Sequence, residues 1–344
     1  MLVLVVALIA GVAFEMRAAA TNAGQCANTA GSGVPKHVLG AAKALVPALS
    51  MGKHKGQAGR IGVVGGSYEY TGAPFYSALA ALRAGADLAF VFCHESAALP
   101  IKSYSPELIV YPRLRIGQDE LAKLSSVLIG PGLGRETDAM DAVERVVSET
   151  RRANTSVVLD GDALWWLNSN EDLLRGHPHA IITPNGAEFD RLYRAAFGED
   201  APKLDDDFTA DAVTGKTLAV HEKHAKPVAA LASWLGGVTV VRKGRVDIIS
   251  NGDVAVACGA FGSPRRCGGQ GDVLAGVTAL FAGWARQADE PDLVAAAYGA
   301  CVLARRAAAL AFAEHGRAMT TPDLFKDHLG HAFAELFEDQ GGRM

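Results

Sequence analysis

Gly262–Gly276 reads GSPRRCGGQGDVLAG, and its reading decides the fold. Gly268 and Gly269 form a bare pair, Gly271 precedes Asp272, and an apolar helical pattern starts at once with Val273, Leu274 and Val277. Glycines that let the backbone bend, opening directly onto a helix N-terminus, make an anion site from main-chain N–H groups and the positive end of the helix dipole. A carboxylate there repels a phosphate unless it has separate work. Asp272 is therefore either the cap of an ordinary turn or a catalytic base at the lip of a phosphate cradle, and the second reading is favoured.

Just upstream, Ile248-Ile249 and Val254–Ala257 flank Asn251-Gly252, the signal of a short antiparallel pair. Before it, the strand Val238–Val241 runs into Arg242, Lys243, Gly244, Arg245, Val246 and Asp247. A lysine just past a strand suits a phosphate; an exposed lysine in a hairpin turn fits the spacing equally well. A helix is expected from about Leu218 to Leu235, and Asp205-Asp206-Asp207 reads as a solvated loop.

Further outward the chain alternates apolar runs with helical segments. The runs Ile61–Val64, Leu88–Cys93, Leu108–Tyr111, Ser126–Ile129, Val157–Leu159 and Ala180–Thr183 are of the type buried on both faces of a parallel sheet. Helices are expected from Val38 to Leu45, from about Tyr70 to Ala86 and from Thr137 to Arg151. Several strands end where α/β sheets bind ligands, in glycine-rich or carboxylate-bearing turns: Gly65-Gly66-Ser67, Gly130-Pro131-Gly132-Leu133-Gly134-Arg135, Asp160-Gly161-Asp162-Ala163 and Pro184-Asn185-Gly186-Ala187-Glu188-Phe189. The G-x-G-x-x-G fingerprint is absent, which disfavours a dehydrogenase-type dinucleotide fold.

Asp160 and Asp162 could hold Mg²⁺ through water or a substrate hydroxyl, or cap the helix beginning at Ala163; for Asp162 capping is favoured. Asn185 and Glu188, three apart on a first helical turn, share one face and nearly form a capping box. A ligand or metal role stands beside that reading. Past the phosphate loop, Gly271–Arg286, Asp292–Glu314 and Pro322–Phe337 read as alanine-rich helices without evident chemistry, the last begun by Thr321-Pro322. They could pack within a monomer or between subunits, which leaves a homo-oligomer open.

With 344 residues, 49% of them hydrophobic, the chain can bury a large core. With a net charge of −4 and no basic run, nothing points to nucleic acid as a partner, and none is expected. The five cysteines, Cys26, Cys93, Cys258, Cys267 and Cys301, show no C-x-x-C spacing and read as reduced thiols without metal or disulfide. Met1–Phe14 is apolar but shorter than a bilayer span and lacks a basic leader. Residues 1–35 are expected to be a targeting or disordered extension, with no stable membrane span, and residues 36–344 a single domain. Reduced cysteines beside an apolar leader fit a mitochondrial or cytoplasmic protein better than a secreted one.

Taken together, Lys53-His54-Lys55-Gly56, Tyr70-Thr71-Gly72-Ala73, Ser103-Tyr104-Ser105-Pro106-Glu107, Gly130–Arg135, Asp160-Gly161-Asp162-Ala163, Thr183–Phe189, Lys243-Gly244 and Arg266–Asp272 resemble the ATP-dependent NAD(P)H-hydrate dehydratases of the ribokinase-like superfamily. The likeness runs from about residue 37 to the C-terminus and leaves no room for the epimerase domain fused to some bacterial relatives. It implies an α/β, ribokinase-like fold of three α/β/α layers with a central, mainly parallel sheet. It also implies a repair reaction in which (S)-NADHX or (S)-NADPHX and ATP give NADH or NADPH, ADP and phosphate.

By the same resemblance Asp272 is the base, with Gly268, Gly269 and Gly271 stabilising the transferring phosphoryl group. The ATP site comprises Lys243, Gly244, Arg245, Val246 and Asp247 together with Gly262, Ser263, Pro264, Arg265, Arg266, Cys267, Gly268, Gly269, Gln270 and Gly271. The hydrated dinucleotide meets Gly134, Asn185, Gly186, Ala187, Glu188, Phe189, Asp190, Arg191 and Asp272. Mg²⁺ is implied as cofactor, with Asn185 and Glu188 in its shell through water. Two rivals share the phosphate loop: a kinase of the same fold acting on a vitamin-type alcohol (hydroxymethylpyrimidine or pyridoxal), and a non-catalytic nucleotide sensor. Gly130–Arg135 with Asn185–Phe189 favours the dehydratase over the first, and Asp272 weighs against the second.

Overall fold

The computed structural model of the chain describes residues 36–202 and 222–338. The N-terminal extension, Cys26, Asp205–Asp207 and the start expected for the helix at Leu218 lie outside the described residues. In chain order the strands are β1 (Arg60–Val64), β2 (Leu88–Phe92), β3 (Ile109–Tyr111), β4 (Ser126–Ile129), β5 (Ser156–Leu159), β6 (Ala180–Ile182), β7 (Thr239–Arg242), β8 (Asp247–Ser250) and β9 (Ala255–Cys258). They form one sheet in the order β3-β2-β1-β4-β5-β6-β7-β8-β9. β1 to β7 run parallel to one another, and β8 turns back antiparallel to both β7 and β9.

Side chains of successive strand residues point to opposite faces, and here both faces are apolar. Ile61, Val63, Leu128, Val158, Ile181 and Val241 enter one core, while Val64, Val127, Ile129, Val157, Leu159, Ile182 and Val240 enter the other. Each core is closed by helices, giving three layers. The longer helices are α1 (Lys36–Ala44), α2 (Gly72–Arg83), α3 (Glu95–Tyr104), α4 (Thr137–Arg152), α5 (Asp162–Leu167), α6 (Gly186–Phe197), α7 (Glu222–Trp234), α8 (Gln270–Gln287), α9 (Leu293–His315) and α10 (Leu329–Phe337). α1, α2, α3, α8, α9 and α10 contribute to the first core, and α4 to α7 to the second.

β1 pairs with both β2 and β4, so the chain reverses its direction of winding between them. That reversal opens a crevice at the carboxyl ends of the strands. Beneath it lies α8, in which every residue from Val273 to Ala285 is buried. The sheet meets this helix with two serines: Ser126 Oγ donates to the Ala279 carbonyl at 2.6 Å and Ser156 Oγ to the Ala282 carbonyl at 3.0 Å. Each fully buried Leu or Phe contributes about 1.5–3 kcal/mol, so the helix that carries Asp272 is firmly held.

Leu293–Ala318, which contains α9, is the one helical stretch among the described residues long and apolar enough to cross a membrane, and 72% of its apolar window is buried within the protein, as in a core helix. The final segment differs from expectation. In place of one helix over Pro322–Phe337 there is a short turn at Thr321–Asp323, a π-helical turn at Leu324–His328, and then α10. The widened turn lets Phe325 stack on Tyr76, with ring centroids 5.6 Å apart, while Leu324 and Leu329 stay buried. Cys93, Cys258, Cys267 and Cys301 are free thiols.

Candidate functional site

The loop preceding α8 is shaped by Gly269, which stands at the N-cap with φ 93°. A Cβ there would lie 2.9 Å from Tyr76 and 3.0 Å from Thr321, so only glycine fits. Loop and helix are tied down from several sides. Thr321 Oγ1 donates to the Gly268 carbonyl, Gln270 Nε2 to the Arg265 carbonyl at 3.2 Å, and Arg265 N to Ser263 Oγ at 2.9 Å. Pro264, Arg265, Arg266 and Gly268 are exposed along its rim. The free N–H groups of a helix's first turn therefore open onto the crevice.

Asp272 is the third residue of α8, and Gly269 occupies the cap position, so the reading of Asp272 as an N-cap is set aside. Burial and the nearby Asp160 push its carboxyl up to about 7, against the pull of Lys243. Such a group takes up a proton near neutral pH, as a general base requires.

Lys243 is not an exposed turn residue. Its main-chain N–H donates to the Pro184 carbonyl at 2.8 Å, and its side chain, 18% exposed, reaches Asp160 Oδ1 at 2.6 Å. A Cβ on Gly271 would meet Lys243 Nζ at 3.7 Å, which places the ammonium against the phosphate loop. Burial works against this charge, but Asp160, Glu188 and Asp272 outweigh it and hold the Lys243 pKa above its ordinary value. Thr183 Oγ1 donates to the same Asp160 oxygen at 2.9 Å and fixes it.

On the opposite side, Gly130, Gly132 and Gly134 all take positive φ, at 122°, 58° and 81°. The turn they make is clasped by Asp162, whose carboxylate accepts from Gly134 N at 3.0 Å and from Arg135 Nε at 3.1 Å. Capping was the expected role of Asp162, but Gly161 holds the cap position, leaving Asp162 free to organise the loop. Ser67 Oγ lies beside Gly134, buried and without a hydrogen-bond partner.

Asn185 and Glu188 form the capping box: Asn185 Oδ1 accepts from Glu188 N at 3.0 Å and Glu188 Oε2 from Asn185 N at 2.7 Å. Burial raises the Glu188 pKa, with Lys243 and the Asn185 N–H opposing. Gly186 and Ala187 border the crevice on the same turn, and Asp190 and Arg191 are exposed just beyond it.

Three expected ligand side chains turn inward. Phe189 is 1% exposed, beneath the Arg242 guanidinium at 5.4 Å; Val246 is 9% exposed; and Asp247 is 5% exposed. These residues have only main-chain atoms to offer a ligand. The Asp247 carboxylate is held by Arg305 Nε at 2.6 Å and by Gly244 N at 3.0 Å. Arg305 also donates to the carbonyls of Gly244 and Arg245, both at 2.9 Å, and its side chain packs under Gly262. It thus braces both halves of the expected ATP site, a role hidden by its place in an alanine-rich helix. The signal available in sequence was Arg305-Arg306 interrupting an apolar run.

Similarity to known proteins decides the family. The Carb_kinase family model, described as NAD(P)H-hydrate dehydratase, matches residues 61–329. An ATP-dependent (S)-NAD(P)H-hydrate dehydratase of Ciona intestinalis is 43% identical over 310 residues, covering 88% of this chain and 82% of that protein. The chain belongs to the NAD(P)H-hydrate dehydratase family. A ribokinase-like superfamily protein of Enterococcus faecalis superposes with a TM-score of 0.67 at 22% identity, over 89% of this chain and 96% of that one. An ADP/ATP-dependent NAD(P)H-hydrate dehydratase of Bacillus subtilis, co-crystallised with ATP/Mg²⁺, gives 0.63 at 22% identity over 89% and 99% of the two chains. The family's ribokinase-like fold is therefore that of this chain, with its sheet of nine mainly parallel strands.

Proposed function

We propose that this enzyme repairs hydrated nicotinamide cofactors, using ATP to dehydrate (S)-NADHX and (S)-NADPHX to NADH and NADPH. The observation that carries this reading is Asp272: a carboxyl whose pKa lies at about 7, on the first turn of the helix that the glycine loop opens. ATP lies on the glycine side, its phosphates against the N–H groups of Gly268, Gly269 and Gly271, with Lys243 alongside. The hydrated ring enters from the Gly134 and Asn185–Arg191 side. Asp272 takes the proton from the ring hydroxyl as its oxygen attacks the γ-phosphorus, and ADP leaves. The ring nitrogen's electron pair then expels the phosphate ester, and loss of a proton from the adjacent carbon restores the double bond. The first-turn N–H groups and Lys243 stabilise charge on the phosphoryl group without having to reorganise.

Mg²⁺ suits the residues present. Asp160, Glu188 and Asp272 all act on the Lys243 ammonium, and among the described residues the only other cation acting on any of them is Arg191, on Glu188, so the carboxylates outnumber the cations when all are ionised. The oxygens are hard donors, and Asn185 with Glu188 would hold the ion through water. When bound it offsets charge on the ATP phosphates.

The test is direct. Hydrated NADH or NADPH with ATP and Mg²⁺ should regain nicotinamide absorbance and release one free phosphate per turnover. A stable phosphorylated product from a vitamin-type alcohol, with no recovery of absorbance, would instead make the chain a kinase.

A further inference from the structure

α9 ends in Glu314-His315, and the π-helical turn at Leu324–His328 brings His328 back against them. One ligating atom from each of these three residues lies within 4.8 Å of the other two. Glu314 Oε2 is 3.3 Å from His328 Nε2, and Glu314 Oε1 is 3.4 Å from His315 Nε2. Asp323 Oδ1 stands 3.8 Å from the same His315 nitrogen. His328 is 8% exposed, and His315 Nε2 is buried without a hydrogen-bond partner. That nitrogen is within ion-pair reach of Glu314 and Asp323 but in hydrogen-bonding geometry with neither, so it faces ligand atoms without a bond that satisfies it.

We propose that Glu314, His315 and His328 form a binding site for a zinc-class transition-metal ion, separate from the magnesium chemistry of the active site. Two imidazoles and one carboxylate match the donors that zinc prefers, whereas Mg²⁺ favours all-oxygen shells. Zinc-to-ligand distances of about 2.0–2.2 Å put neighbouring tetrahedral ligands roughly 3.3–3.6 Å apart. Each imidazole nitrogen already stands at that spacing from one oxygen of the Glu314 carboxylate, His315 from Oε1 and His328 from Oε2. A small side-chain rotation brings in the second imidazole, and water or Asp323 completes four-coordination. Glu314, with a side chain 63% exposed, leaves the site open to entry from solvent.

The location gives the ion a structural task. The site joins the end of α9 to the π turn across Gly316–Thr321. Within that segment the Met319 carbonyl accepts from Arg265 Nε at 3.4 Å, and Thr321 Oγ1 donates to the Gly268 carbonyl. The metal would therefore clip together the support that lies behind the phosphate loop.

The experiment needs no turnover. The full chain, stripped with chelator and dialysed, is titrated with Zn²⁺ in excess Mg²⁺ without ATP, and then with Co²⁺ as a spectroscopic probe. One equivalent should bind, with a cobalt spectrum free of thiolate charge transfer and a rise in Tm of about 5 °C. His315→Gln and Glu314→Gln, both at partly exposed positions that should still fold, should weaken binding by more than about 100-fold, since even outer-shell losses cost 10–100-fold. His328→Gln tests the buried ligand. Absence of saturable binding, binding undiminished in these variants, or a thiolate spectrum pointing to Cys267 would overturn the proposal.

Discussion

Asp272→Asn should make this protein more stable while making it inactive, and the gain should depend on pH in a defined direction. In the folded chain the Asp272 carboxyl is raised from 3.8 to about 7, with burial as the largest cause and Asp160 as the second. A folded-state pKa above the unfolded one means that the folded state binds the extra proton, so stability falls as pH rises between the two values. Below about pH 4 the carboxyl is neutral in both states and costs nothing; above about pH 7 the full penalty applies. A shift of about three units corresponds to roughly 4 kcal/mol at about 1.4 kcal/mol per unit. The helix N-terminus favours the charge by up to about 1 kcal/mol and offsets part of it. Asparagine keeps the shape of the protonated acid without the titration, so about 3 kcal/mol of added stability is expected at pH 8, falling to near zero at pH 4.

Urea unfolding of both forms at pH 4, 6 and 8 reads this difference directly, and the expected rise in Tm at pH 8 is roughly 4–5 °C. Turnover should fall by about 10²–10⁴, the usual contribution of a positioned base, while ATP binding persists. In the parent enzyme, kcat/KM should decline below about pH 7 as the base is protonated. A variant whose stability difference is the same at all three pH values would show that Asp272 carries no raised pKa, and an undiminished rate would remove it as the base.

Arg305→Leu should lower Tm by about 4–8 °C, because losing one member of a buried ion pair costs about 3–5 kcal/mol and leaves the Asp247 carboxylate without its counter-charge, held only by neutral donors such as the Gly244 N–H; Arg305→Lys should recover only part, having one ammonium in place of a fork that serves four acceptors. Equal stability of the leucine variant by differential scanning calorimetry would contradict the bracing role. Asp162→Ala should loosen the Gly130–Arg135 turn and raise KM for the hydrate about tenfold, the lower end of what a charge-assisted hydrogen bond contributes, while KM for ATP stays constant; a matched rise in both constants would place the turn in the ATP site instead.

The division between what could be read in the chain and what could not follows the range of the interactions. Strands β1 to β9 were legible because burial on two faces writes a continuous apolar run, and their ends fell within about a residue of expectation. The glycine loop at Gly268, Gly269 and Gly271 and the helix start that carries Asp272 were legible because they are written in consecutive residues. Asp162 was misassigned for the converse reason: as a cap it would act locally, but its partners Gly134 and Arg135 come from another strand end, 28 and 27 residues away. Lys243 was ambiguous until Asp160, 83 residues distant, gave its ammonium a direction. Arg305 and Asp247 are 58 residues apart, and an arginine inside an alanine-rich helix carries no local mark of its partner. The candidate site therefore combines two layers with different legibility. The groups expected to touch phosphate announce themselves in short motifs, since backbone N–H donors must be contiguous to converge on one anion. The charges that tune Asp272 and brace the loop come from separate strand ends and helices, and only the parallel sheet, by aligning those ends along one edge, brings them together.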